Sequence, residues 1–143
     1  MRRRRPQILV IEDSPADVTL IRKAMEAAGI SAVLHVLEDG EKAVQFFEDA
    51  DRDPNAACPD VVILDLNLPR FKGSDVLRRM RASARCASVP VIVVTSSDAV
   101  RDRAELAELG ANEYFTKPSE YLEYMKLGGR VRALLNIAAP SQP

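Results

Sequence analysis

The sequence predicts an α/β fold: a parallel sheet of five strands with five helices covering both of its faces. Three observations predict it. Unalternated runs of Val, Ile and Leu recur along the chain, and such runs suit strands buried on both faces, as in parallel sheets. Between the runs, apolar residues repeat at helical spacing, so strands and helices alternate. The strand runs also end abruptly in acidic or other polar residues, which places polar chemistry at the carboxyl edge of the sheet, where open α/β sheets hold their ligand crevice.

The elements follow in order. Ile8-Leu9-Val10-Ile11 is a strand ending in Glu12-Asp13. Ser14-Pro15-Ala16-Asp17 starts a helix, with Ser as cap, Pro at the first helical position and Asp17 near the positive end of the helix dipole. Val18, Ile21, Met25 and Ala28 continue it, and Gly29 closes it. Ala32 to Leu37 is the second strand, and Glu38-Asp39-Gly40 turns into a helix carrying Ala43, Val44, Phe46 and Phe47. Glu48 to Pro59 is polar with two prolines and reads as an extended loop. Val61 to Leu64 leads to Asp65 and the loop Asn67 to Gly73, then a helix over roughly Ser74 to Ala84. Val89 to Val94 is the fourth strand, ending in Thr95-Ser96-Ser97-Asp98, which caps a helix that Gly110 stops. Asn112 to Thr116 is the fifth strand, ending in Lys117-Pro118; the last helix runs from near Ser119 to roughly Asn136. Right-handed crossovers and the flavodoxin-like strand order 2-1-3-4-5 are the natural topology.

Composition narrows the classes. A chain of 143 residues, 47% hydrophobic and 29% charged, suits one ordinary globular domain over 7–137, flanked by a basic tail at 1–6 and a tail at 138–143. With 20 basic and 21 acidic residues, no global field favours nucleic acid or membrane. The four arginines before Pro6 read as a solvated tail, since the apolar run behind them stops at Glu12-Asp13, too early for a signal peptide. Cys58 and Cys86 form no metal or redox motif and fit reduced thiols in a cytoplasmic protein. The single histidine, His35, lies inside an apolar run and reads as structural.

Taken singly, each polar strand end has an ordinary explanation: Glu12-Asp13 and Thr95 as helix caps, Lys117 as a surface lysine, Asp65 as the start of a loop. In the order 2-1-3-4-5, however, the ends of strands one, three, four and five are consecutive neighbours, so Glu12, Asp13, Asp65, Thr95 and Lys117 converge on one crevice. Three clustered carboxylates repel one another unless a cation neutralises them, and an all-oxygen set suits Mg2+. Lys117 adds a positive point charge and Thr95 a hydroxyl donor. This is a cradle for a phosphoryl group, with an aspartate placed to attack phosphorus.

With these residues in this order, the chain resembles the receiver domain of bacterial two-component response regulators over roughly Gln7 to Asn136. The resemblance implies a CheY-like fold in which Asp65 is the phospho-acceptor, Thr95 the switch hydroxyl and Lys117 the phosphate-contacting lysine. It implies Mg2+ held by Glu12, Asp13 and Asp65, with Glu12 acting through a water and Asn67 contributing its backbone carbonyl. It further implies a cis Lys117-Pro118 bond, Tyr114 as the aromatic that turns inward on activation, and Asn67 and Ser97 as residues that tune dephosphorylation. More narrowly, Glu12-Asp13-Ser14-Pro15-Ala16-Asp17, the long loop and Asp65-Leu66-Asn67-Leu68-Pro69 resemble the stand-alone response regulators of bacterial and cyanobacterial phytochromes. Phe71-Lys72 departs from the residues more usual before the loop glycine.

The expected function is therefore that of a phospho-acceptor in a phosphorelay rather than an enzyme with its own substrate, catalysing only its own phosphotransfer and autodephosphorylation. Its expected partners are a sensor histidine kinase, of the bacteriophytochrome type by the narrower resemblance, and a downstream protein, with no direct role for nucleic acid or membrane. The last helix carries more apolar residues than one core stripe needs. They predict a homodimer through the face of the fourth helix, fifth strand and last helix, with Tyr121, Tyr124 and Met125 on it. The alternative is that this helix simply tucks against its own sheet. Gly128-Gly129 within it predicts close packing or a local break. Three rival functions stand against this one. A degenerate receiver serving only as a binding module is opposed by the complete acidic set. A Mg2+ phosphatase of the haloacid-dehalogenase type wants a second acid two residues after the nucleophile, where this chain has Asn67. A motor-binding receiver of the chemotaxis type fits poorly with the long loop and the apolar last helix.

Overall fold

The computed structural model describes residues 5–96 and 100–138, with side chains described to Asn136. Its elements are β1 (Gln7–Ile11), α1 (Pro15–Ala27), β2 (Val33–Leu37), α2 (Gly40–Arg52), β3 (Val61–Leu64), β4 (Asn67–Leu68), β5 (Phe71–Lys72), α3 (Gly73–Arg81), β6 (Val91–Thr95), α4 (Val100–Glu108), β7 (Glu113–Thr116), α5 (Tyr121–Met125) and α6 (Leu127–Ala138). The main sheet has the order β2-β1-β3-β6-β7 with every neighbouring pair parallel. This is the expected 2-1-3-4-5 topology, with the small antiparallel β4-β5 hairpin formed inside what reads from sequence as a plain loop.

The unalternated runs bury both faces of the sheet because successive side chains on a strand point to opposite sides. Leu9, Ile11, Val62, Leu64, Val91 and Val93 pack under α2, α3 and α4 with Phe47, Leu77, Met80 and Leu106. Ile8, Val10, Val61, Ile63, Ile92 and Val94 pack on the other face with Ile21 and Met25 of α1 and Leu127 and Val131 of α6. The caps also follow the local chemistry. Ser14 accepts from the Asp17 N–H with Pro15 at the first helical position, and Asp39 accepts from the Lys42 N–H at 2.8 Å. Gly29 and Gly110 take φ of 73° and 97° where α1 and α4 end, conformations that cost glycine little.

Four expectations are corrected. First, the polar segment from Glu48 is helical as far as Arg52. Asp51 anchors that end: it accepts from the Ser83 hydroxyl at 2.6 Å and pairs with Arg79 at 3.1 Å, and the Ser83 bond leads in holding its carboxyl down to about 2. Second, Cys58 and Cys86 are not reduced thiols but a disulfide, with Cα atoms 5.6 Å apart. Third, the Lys117–Pro118 bond is trans, the isomer that X–Pro bonds favour by about 0.5–1 kcal/mol without a compensating context. Fourth, the last helix is broken at Lys126 into α5 and α6.

Two adjacent glycines follow the break, inside α6, and they differ in role. A Cβ on Gly128 would run into the Ala24 carbonyl oxygen and lie 2.7 Å from the Ala28 Cβ, whereas one on Gly129 meets nothing within 4 Å. Gly128 is thus the point where α6 closes onto α1, and Gly129 only lowers helix propensity. Chemical denaturation should show Gly128→Ala destabilised by about 2 kcal/mol from overpacking, and Gly129→Ala stabilised by up to about 1 kcal/mol.

Candidate functional site

The sheet's own hydrogen bonding carries the polar residues to one place. The ladder extends one step past the strands: the Asp65 N–H donates to the Ile11 carbonyl at 3.0 Å, and the Lys117 N–H donates to the Thr95 carbonyl at 2.7 Å. Asp65 is therefore held next to Glu12, and Lys117 next to Thr95, by backbone register rather than by side-chain attraction. Carboxylate oxygens of Glu12, Asp13 and Asp65 lie within 4.8 Å of one another. Glu12 and Asp65 are buried, at 2% and 4% exposure, while Asp13 is exposed. Lys117 reaches across the sheet edge, with its Nζ 2.9 Å from Glu12 Oε1, 3.1 Å from Asp17 Oδ2 and 3.7 Å from Asp65 Oδ2.

One ammonium facing three clustered acids leaves a surplus of negative charge. Burial leads in pushing the Glu12 carboxyl up to about 7; its hydrogen bond from Lys117 works against that rise and the Asp65 charge adds to it. Burial by itself would lower the Lys117 pKa, but the Glu12 hydrogen bond and the Asp65 and Glu12 charges outweigh it, and the net shift is upward. Hard oxygen donors, crowded and only partly neutralised, are the chemistry that Mg2+ relieves, and this donor set fits it.

A pH dependence follows. The folded-state value of Glu12, about 7, lies above its ordinary 4.5, so between those values the folded chain holds a proton that the unfolded chain has released. Stability of the metal-free protein therefore falls as pH rises through that window. Mg2+ must displace the same proton, so its Kd should weaken by up to about tenfold per pH unit below about pH 7. Titration calorimetry at several pH values measures this, and Glu12→Gln should flatten the profile.

Thr95 is fully buried, and its Oγ1 accepts from Asn67 Nδ2 at 3.3 Å. The Asn67 N–H also donates to Asp65 Oδ1 at 3.2 Å, so Asn67 bridges the strand-end acid and the threonine. Where a dehalogenase-type phosphatase needs an acid, this chain thus places an amide that links Asp65 to Thr95. Tyr114 lies beneath the Arg103 guanidinium of α4, 4.9 Å from its ring centroid. Ser97 lies outside the described residues. Gly73 matters to the site as well, because a Cβ there would sit 2.8 Å from the Asp65 carbonyl oxygen and 2.7 Å from the Leu66 Cα.

The residues expected on a partner face divide. Tyr121 is 52% exposed and its neighbour Leu122 76% exposed, but Tyr124 is 2% exposed and faces the site. Tyr124 is thus corrected from surface to core: the one-turn helix α5 turns it inward, where its hydroxyl donates to Asp17 Oδ1 at 3.0 Å. Met125 is half-buried against the α1/α6 side of the core. Asp17 is the site residue that sequence reasoning missed. Its position after Ser14-Pro15 is fully explained by the helix dipole, and nothing local signals that Lys117 and Tyr124, a hundred residues away, converge on it.

Comparison with known proteins agrees with this geometry. A family model described as the response regulator receiver domain matches residues 8–126. Response regulator Rcp1 of Synechocystis sp. is 32% identical over 120 residues, covering 84% of this chain and 82% of Rcp1. The crystal structure of the phosphorylated cyanobacterial phytochrome response regulator RcpA superposes with a TM-score of 0.83 at 28% identity, over 96% of this chain and 100% of that one. The Mn2+-bound form of Rcp1 superposes with a TM-score of 0.79 at 28% identity, over 96% and 97% of the two chains.

Proposed function

This chain belongs to the response regulator receiver family, and we propose that Asp65 is its phospho-acceptor, charged by a phytochrome-type sensor histidine kinase. The observation that carries the reading is the position of Asp65: nearly buried at the end of β3, within 4.8 Å of two other carboxylates and 3.7 Å from the Lys117 ammonium. An Asp65 oxygen attacks the phosphorus of a phosphohistidine; the O–P bond forms as the N–P bond breaks, and the imidazole leaves. Lys117 stabilises the oxygens of the transferring group. Glu12, Asp13 and Asp65, with the Asn67 backbone carbonyl, would hold Mg2+, which when bound supplies further positive charge to those oxygens. Thr95 then turns its hydroxyl to the acyl phosphate, and Tyr114 leaves the Arg103 guanidinium for the space vacated beside β6. The result is a population shift of the face built from α4, β7 and α5. Water later hydrolyses the acyl phosphate, with Asn67 and Ser97 flanking its path.

The phytochrome link is supported by the likeness to Rcp1 and RcpA. We place the receiver unit over 7–137, in the cytoplasm. No helix among the described residues is long and apolar enough to cross a membrane. A homodimer through the face of α4, β7 and the last helix would use the exposed Tyr121 rather than Tyr124; light scattering with and without beryllofluoride tests it. The function is tested by incubating the protein with acetyl phosphate and Mg2+ and measuring intact mass. One phosphoryl adduct, which does not form when EDTA is present from the start, is expected, and its absence under saturating donor and Mg2+ would overturn the reading. Transfer from an autophosphorylated bacteriophytochrome, faster than from an unrelated kinase, tests the choice of donor.

A further inference from the structure

Lys117 is held by more than the acids of the metal cluster. Its Nζ lies closer to Asp17 Oδ2, at 3.1 Å, than to Asp65 Oδ2, at 3.7 Å. The other Asp17 oxygen accepts the Tyr124 hydroxyl at 3.0 Å. Tyr124 is 2% exposed, its ring meets Phe115 edge-on at a centroid distance of 6.1 Å, and it belongs to the five-residue helix α5, which the break at Lys126 separates from α6. A single carboxylate thus joins the lysine of the site to the short helix α5, which also carries the exposed Tyr121 and Leu122.

We propose that Asp17 is a positioning residue that holds Lys117 away from Asp65 until a phosphoryl group arrives, and that Tyr124 passes the release of Asp17 on to α5. The proposal rests on Asp65 being the phospho-acceptor. A phosphoryl dianion on Asp65 outcompetes a single carboxylate for the lysine, because charge-assisted bonds strengthen with the charge on the acceptor. When Lys117 moves to the phosphoryl oxygens, Asp17 loses its cation, and the Tyr124–Asp17 bond then reorganises with the helix that carries it. This path runs through α1 and α5 and is separate from the one through Thr95 and Tyr114.

Asp17→Asn and Tyr124→Phe are near-isosteric, and the phenyl ring keeps its place against Phe115, so each variant tests the path without emptying the core. Hydrogen exchange is compared with and without beryllofluoride and Mg2+, alongside intact-mass labelling by acetyl phosphate. The wild-type chain should show a phosphoryl-dependent change over 121–125 that both variants lose, while the change over α4 and β7 persists. Tyr124→Phe should label at the wild-type rate. Asp17→Asn, which leaves Lys117 to Glu12 and Asp65 alone, should saturate at an acetyl phosphate concentration roughly threefold lower. Either variant retaining the wild-type change over 121–125, or a labelled wild-type chain without that change, would overturn the relay. A wild-type chain that takes no adduct would overturn the functional reading itself, and the relay with it.

Discussion

Asp65→Asn is expected to take up no phosphoryl group from acetyl phosphate, and at the same time to unfold at a higher denaturant concentration than its parent. Both effects come from the same charge. Asparagine is close in shape but offers no nucleophilic carboxylate, so the adduct seen by intact mass should vanish, not merely weaken. An adduct that survived the substitution would place the acceptor elsewhere. The gain in stability follows from the crowding at the sheet edge. Asp65 adds to the forces that lift the Glu12 carboxyl, and its oxygens lie within 4.8 Å of those of Glu12 and Asp13. Removing one of three mutually repelling carboxylates, while Lys117 keeps Glu12 at 2.9 Å and Asp17 at 3.1 Å, should stabilise the metal-free protein by on the order of 1 kcal/mol. Adding Mg2+ should reverse the ranking, because the parent binds it better. Denaturation with and without Mg2+ reads both signs.

The second large effect is expected at the disulfide. Cys58 and Cys86 are 28 residues apart in sequence, and joining them restricts the unfolded chain. The chain-entropy relation puts this at about 3–4 kcal/mol. A reductant, or the Cys58→Ser and Cys86→Ser double substitution, should lower the unfolding free energy by that amount and leave phosphoryl uptake intact, since the bridge lies at the amino-terminal edge of the sheet and the site at the carboxyl edge. The loss should be no smaller in Cys86→Ala, because Cys86 is fully buried and packed in the core beneath α2 and α3. Equal stability in oxidised and reduced protein would show that the bridge contributes nothing.

The bridge leaves no mark in the local sequence pattern. Cysteine spacing reveals short metal and redox motifs, and 28 residues match none of them. The two thiols meet because Cys58 precedes β3, Cys86 precedes β6, and these strands are neighbours. That neighbourhood is a product of the sheet order. The same order explains why the polar strand ends converge. Glu12, Asp13, Asp65, Thr95 and Lys117 each stand just past or at the end of a strand, so naming the strands and their order was enough to predict that they converge.

The sequence by itself determined the strand runs, the helix starts at Ser14-Pro15 and stops at Gly29 and Gly110, the topology and the five polar strand ends, because these depend on period, local caps and a small set of allowed crossovers. Only the tertiary structure decided which way Tyr124 faces, that Asp17 holds Lys117, that Gly128 packs against Ala24 of α1, and that Cys58 meets Cys86. Each of these depends on how two elements distant in sequence are packed to within a few ångströms. Local propensity carries no information at that distance, since a side chain obeys the same capping and helical rules whether or not a partner from the far end of the chain lies beside it.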